Sequence, residues 1–130
     1  MKGDWMLRPK WIIACVLGAT GALALNAGAQ PMRWRGDFVY FADSAVFTDC
    51  ASGTRWPVAM TGDYLALEHA YMQWRSEPKA PLLANVDGRL EIMDPMEGPA
   101  REHMVVDRFV SVQPGYTCES MAASPPATPH

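Results

Sequence analysis

Met93 and Met96 make a Met-x-x-Met pair, and His103-Met104 follows across a loop. Soft thioethers beside an imidazole suit Cu(I) in an exported protein, so these four residues are the candidate metal ligands. The same methionines have a plainer use as flexible gap-fillers in a small core, and Pro95 gives the pair no fixed geometry of its own. Asp43, Asp49 and Asp87 fall where turns are expected, and aspartate there commonly hydrogen-bonds its own backbone. That role is simpler than a carboxylate-pair hydrolase. His69 stands beside Glu68 on a helical pattern and reads as part of a solvated face. No Ser/His/Asp or Cys/His set can be assembled by spacing, so no enzyme is expected. Trp34, Trp56 and Trp74 are candidates for a platform that would take a small sugar or peptide. Trp74 is expected to turn inward with the helix, which leaves Trp56, on an edge strand, as the best-placed partner contact. Copper is the single cofactor candidate, and otherwise none is expected.

Cysteine chemistry depends on where the chain lives. Lys2, Arg8 and Lys10 precede the apolar run Trp11 to Leu25, and Asn26-Ala27-Gly28-Ala29 follows it. A basic start, a short apolar middle and Ala-x-Ala describe a signal peptide over residues 1–29, with cleavage after Ala29. The run is 15 residues long, short of the roughly 20 that a spanning helix needs. Ile12-Ile13-Ala14-Cys15 resembles a lipoprotein processing site with an acylated Cys15. Most of the apolar run follows that cysteine instead of preceding it, so a small apolar residue within the leader is the preferred reading. The chain is therefore expected to be periplasmic or secreted, meeting the membrane only through its leader before cleavage.

Two cysteines, Cys50 and Cys118, then remain. An even pair in an exported domain reads as a disulfide. Free thiols or a metal site are the alternatives, and the second lacks a nearby Cys or His at ligand spacing. Residues 30–130 carry eight basic side chains against thirteen carboxylates, a net charge near −5. A polyanion partner requires the opposite balance, so nucleic acid is excluded as a partner class.

The elements that must position these groups follow from periodicity. Residues 30–35 read as a lead-in and 36–118 as one domain. Phe38 to Ala42 alternates as a first strand, with Phe38 and Tyr40 on one face and Val39 and Phe41 on the other. Asp43-Ser44 breaks it, and Ala45 to Asp49 returns. Ala51-Ser52-Gly53 turns into a short third strand, Thr54 to Ala59, which Pro57 marks as an edge. Thr61-Gly62-Asp63 reads as a capped start to a helix over Tyr64 to Trp74. Tyr64, Leu67, Tyr71 and Trp74 form its apolar stripe. Leu82 to Val86, a turn or bulge at Asp87-Gly88, and Arg89 to Met93 make the fourth strand. In the fifth, Glu102 to Val112, Val105, Asp107, Phe109 and Ser111 face opposite to Met104, Val106, Arg108, Val110 and Val112. Residues 119–130, rich in proline and small side chains, are expected to be disordered. Three strands, a helix and two strands is the order of a five-stranded OB-like barrel whose helix plugs an open end. A β-sandwich fragment with a covering helix is the alternative.

Tyr40-Phe41-Ala42-Asp43-Ser44-Ala45 and Phe47-Thr48-Asp49-Cys50-Ala51-Ser52-Gly53-Thr54-Arg55 carry a family resemblance. So do Leu67-Glu68-His69-Ala70-Tyr71, Pro81-Leu82-Leu83, Val86-Asp87-Gly88 and the late Cys118. Over most of residues 36–118 the chain resembles the C-terminal OB-fold domain of NlpE-type envelope lipoproteins. The resemblance implies a Cys50–Cys118 disulfide, an envelope location, and a role near copper tolerance or adhesion- and stress-linked envelope signalling. Those lipoproteins also carry an N-terminal barrel with Cys-x-x-Cys and an acylated first cysteine. This sequence contains no Cys-x-x-Cys, so copper binding through that motif is not carried over. The expectation is a non-enzymatic interaction module that acts on an unidentified envelope protein. Copper binding, or a small-ligand barrel, is the alternative. Oxidation of the cysteine pair would hold the ends of the barrel together.

Overall fold

The computed structural model describes residues 30–123. The expected leader with Cys15, and positions 124–130 of the expected tail, lie outside the described residues. The elements run β1 (Met32–Phe41), β2 (Ser44–Asp49), β3 (Arg55–Pro57), α1 (Tyr64–Trp74), β4 (Leu82–Met93), β5 (Arg101–Gln113) and α2 (Cys118–Ala123).

Strand β1 begins six residues before its expected start. Arg33 and Arg35 look like lead-in, but they alternate with Trp34 and Gly36, and this whole segment pairs antiparallel with β4 from Met32↔Gly88 to Phe38↔Leu82. The arginines take the outer face, where polar side chains cost nothing. Gly36 is fully inside: a β-carbon there would lie about 2.5 Å from the Phe47 ring, so only glycine lets that ring fill the barrel. The β1–β2 hairpin closes on Phe41↔Ser44. Its two loop residues, Ala42 and Asp43, have φ of 53° and 61°. Positive φ at both positions is the type I′ geometry that matches strand twist, one residue earlier than expected.

The strands are ordered β3-β2-β1-β4-β5. Past Pro57 the chain crosses to the far edge, where Val58 bridges Met104 of β5 in parallel. The Val58 N–H still bonds the Ala45 C=O of β2, and the Ala59 N–H bonds the Met104 C=O across the seam. The sheet therefore closes into the OB-type barrel, and the sandwich alternative falls away.

Strand β4 runs unbroken from Leu82 to Met93, and the expected irregularity is present as register shifts between Asn85 and Val86 and between Asp87 and Gly88. Across them β5 holds two extra residues: Val86 faces Phe109 while Asn85 faces Ser111, and Gly88 faces Val106 while Asp87 faces Arg108. Each bulge reverses the alternation. Phe109 thus joins Met104 and Val106 at the core, a correction to the face expected from strict period two, while Val112, past the second bulge, returns to the face expected of it. Arg108 turns outward to Asp87.

Helix α1 has the expected span and packs Tyr64, Leu67 and Tyr71 into the barrel end. Phe38 meets Tyr71 edge-on at 5.4 Å and Tyr64 at 6.3 Å, a geometry aromatic pairs favour. Tyr71 donates its hydroxyl to the Ala80 carbonyl at 2.7 Å. Trp74 departs from the stripe and is 50% exposed, because the helix ends there and Arg75 is already extended. The expected hydroxyl cap is also absent. Asp63 instead accepts the Phe109 N–H at 2.7 Å and donates its own N–H to Val106, which ties the helix start to β5. Gly62 makes this approach possible: its φ is 62°, and a β-carbon there would sit 2.3 Å from the Val106 carbonyl oxygen.

Candidate functional site

The Cys50–Cys118 disulfide is present, with a Cα–Cα distance of 5.2 Å. Cys50 follows β2, and Cys118 opens α2, the segment expected to be disordered from Glu119 onward. Residues 118–123 are helical instead. The reason is local. The Thr117 N–H is accepted by Ser120 Oγ at 2.8 Å and the Ser120 N–H by Thr117 Oγ1 at 3.1 Å, a reciprocal cap. Asp37 Oδ1 accepts the Cys118 N–H at 2.8 Å, and the Leu83 N–H is accepted by the Tyr116 carbonyl. Burial pushes the Asp37 carboxyl above the usual range, the Cys118 N–H opposes that shift, and Glu119 adds to it. These contacts latch α2 to the outside of β1 and β2. The disulfide therefore does not join the ends of the barrel, which the β3–β5 seam closes on its own.

On the outer sheet face Asp87 bridges Arg33 (2.5 Å) and Arg108 (2.8 Å). The hydrogen bond from Arg33 is the largest influence and holds the Asp87 carboxyl below its ordinary range; desolvation opposes it next, and the hydrogen bond from Arg108 then adds to the lowering. Arg89 pairs with both Glu91 and Asp107. This network satisfies its own charges. Asp49 is likewise occupied, accepting the N–H and hydroxyl of Ser52 in the turn after β2. Among the described residues no group of three or more His, Cys, Asp or Glu could hold a metal ion.

The tryptophan platform does not form. Trp56 is 8% exposed and meets Trp34 edge-on at 5.5 Å. The Trp56 Nε1–H is accepted by Glu102 at 3.2 Å and that of Trp34 by the Gly88 carbonyl at 2.9 Å. The barrel seam beside β3 needs a large side chain to fill it, so the edge position buries Trp56 and removes it as a partner contact. Of the three, Trp74 is the one that is half exposed, at the end of α1.

Three of the four candidate soft donors come together. Met93, Met96 and His103 line one cleft of about 420 Å³ between the β1–β2 turn, the β3–α1 segment and the β4–β5 arm. Met104 is fully buried in the core beside Val58 and Val106, so it cannot join them. This is a consequence of alternation: neighbours on a strand point to opposite faces, and His103 and Met104 cannot share a ligand. Met60 takes the vacant place in the cleft wall. Sequence reading missed it because Met60 lies in an irregular segment, where no period assigns a face.

Residues 28–119 match the family model of the NlpE C-terminal OB domain. The lipoprotein NlpE of Escherichia coli (strain K12) is 34% identical over 92 residues, which are 70% of this chain and 38% of that protein. This chain thus spans well under half the length of that relative. The crystal structure of the Cpx pathway activator NlpE from Escherichia coli superposes with a TM-score of 0.61 at 30% identity, covering 80% of this chain and 55% of the other. With the closed five-stranded barrel, the plugging helix and the matched segment in agreement, the chain belongs to the NlpE C-terminal OB domain family.

Proposed function

We propose that this domain is a non-enzymatic interaction module of the bacterial envelope, linked to envelope-stress signalling. One observation carries the reading: a domain related to a Cpx pathway activator presents an open, methionine-lined cleft at its barrel seam, while its buried and paired carboxylates are all committed to the fold. Methionine surfaces adapt to the shape of a partner chain, which suits recognition better than catalysis. The partner is an envelope protein. The acidic balance of residues 30–130 disfavours nucleic acid. The protein reaches the periplasm through residues 1–29, cleaved after Ala29.

The test is expression of the whole chain in Escherichia coli carrying a Cpx-responsive reporter. The reporter is expected to change several-fold against an empty vector, and to change less for Met93→Ser/Met96→Ser at equal periplasmic level. An unchanged reporter at that level removes the signalling link. The intact mass of the recovered protein checks the export reading: it should begin at Gln30 and be two mass units lighter than its reduced form.

A further inference from the structure

The cleft at the barrel seam has an unusual lining for its size. Its apolar wall includes three thioethers, Met60, Met93 and Met96, of which Met60 is 54% and Met96 98% exposed. Around that wall stand Asp43 and Asp94, and no lysine or arginine is among the described residues lining it. Elsewhere on the surface the carboxylates Asp87, Asp107 and Glu91 each hold an arginine. The two in the cleft have no such partner; Asp43 only accepts the Tyr40 hydroxyl at 3.2 Å.

His103 adds a third acceptor. It is 7% exposed and lines the same cleft. Its Nδ1 lies 2.9 Å from the Arg101 carbonyl oxygen. A carbonyl can only accept, so in the neutral ring Nδ1 carries the proton and Nε2 keeps its lone pair. The lining thus brings together a deformable apolar wall, two carboxylates and an imidazole, and neither lysine nor arginine stands among its described residues. A guanidinium on an apolar-flanked chain complements each part: five N–H donors for the acceptors, a three-carbon stem for the thioethers, and a weakly hydrated charge that desolvates cheaply.

We infer that the cleft formed by Asp43, Met60, Met93, Asp94, Met96 and His103 binds an arginine side chain presented by an extended, apolar-flanked segment of a partner protein. This deepens the interaction reading, on which it rests, by naming what the partner offers. The charge complementarity selects arginine over an uncharged apolar anchor, and planar multi-donor geometry selects it over lysine.

The test uses the oxidised, leaderless chain labelled with nitrogen-15 and the tripeptide acetyl-Leu-Arg-Leu-amide, followed by amide shifts up to 10 mM peptide. Shifts should concentrate at Asp43, Met60, Met93 to Met96 and His103. Replacing arginine by citrulline should weaken binding at least tenfold, and Asp43→Asn/Asp94→Asn should do the same while leaving the melting temperature within a few degrees. Lysine should bind more weakly than arginine. The inference is overturned by no shift in the cleft at 10 mM, by shifts centred elsewhere, or by citrulline binding as well as arginine. A Cu(I) ion that binds in competition with bicinchoninate and blocks the peptide would reassign the cleft to a metal and also overturn it. A silent reporter with intact peptide binding would refute the signalling role and leave the cleft assignment standing.

Discussion

Removing the disulfide tests the role of α2 most directly. The bond spans 68 residues, and closing a loop of that length in the unfolded chain gives about 4 kcal/mol of stabilisation in the chain-entropy model. For a folded unit of under a hundred residues, each kcal/mol moves the melting point by about 4–8 °C. The double variant Cys50→Ser/Cys118→Ser should therefore melt about 16–32 °C lower than the oxidised protein. Thermal circular dichroism of the oxidised, reduced and double-serine forms measures it. The structure adds a second expectation. The barrel seam consists of the Val58–Met104 bridge and the Ala59 and Asp63 main-chain bonds to β5, none of which involves a cysteine. The reduced protein should remain folded below its melting point, with α2 released. Hydrogen exchange should then speed up at Leu83 and Cys118, whose N–H groups lean on Tyr116 and Asp37, and stay slow at Ala59. Equal melting of oxidised and reduced protein would refute the loop-closure argument. Loss of protection at Ala59 together with Leu83 would refute the separation of latch from barrel.

Asp37 should separate charge from hydrogen bonding: Asp37→Asn keeps an acceptor for Cys118 and should be neutral or mildly stabilising at pH 7, whereas Asp37→Ala should cost about 1–2 kcal/mol by urea denaturation. The pH dependence of the two carboxylates should oppose. The raised Asp37 favours the folded state below the ordinary aspartate range and loses that contribution as pH rises through its folded value, while the lowered Asp87 contributes above that range and loses it as pH falls through its folded value. Arg33→Gln should accordingly flatten the acid limb of a stability–pH curve measured from pH 2 to 6. Tyr64→Phe should stabilise by about 0.5–1 kcal/mol, since the Tyr64 hydroxyl is buried without a hydrogen-bond partner, and burial, with Glu68 next, pushes its ionisation far up. Gly62→Ala should cost several kcal/mol in a urea melt, because positive φ and the 2.3 Å approach to Val106 both forbid a β-carbon.

What the sequence reveals here divides along one physical line. Helix α1, the hairpin and the β4 irregularity were legible because each is decided by local chemistry: a 3.6-residue stripe, a break in alternation, an Asp-Gly pair. The disulfide was legible from an even count behind a leader-like start. Everything set by closure of the barrel was not. Trp56 sits on an edge strand, and edges in open sheets face solvent, but this edge meets β5 and turns its tryptophan inward against Trp34. The two bulges of β5 reverse its faces because β4 must curve around the barrel, and no residue in β5 signals the extra positions. The candidate donor set divides for the same reason. His103 and Met104 are adjacent in sequence, so one faces the cleft and the other the core, and the place left by Met104 falls to Met60, which reaches the cleft only because the chain crosses to the far edge after Pro57. The cleft is thus made by the seam: the step that closes the barrel also brings the β1–β2 turn, Met60 and the β4–β5 arm to one place. A single change at the seam should then disturb both. Val58→Asp would place an unpaired charge in a position only 5% exposed and should lower stability and cleft binding together, whereas Met93→Ser should lower binding alone.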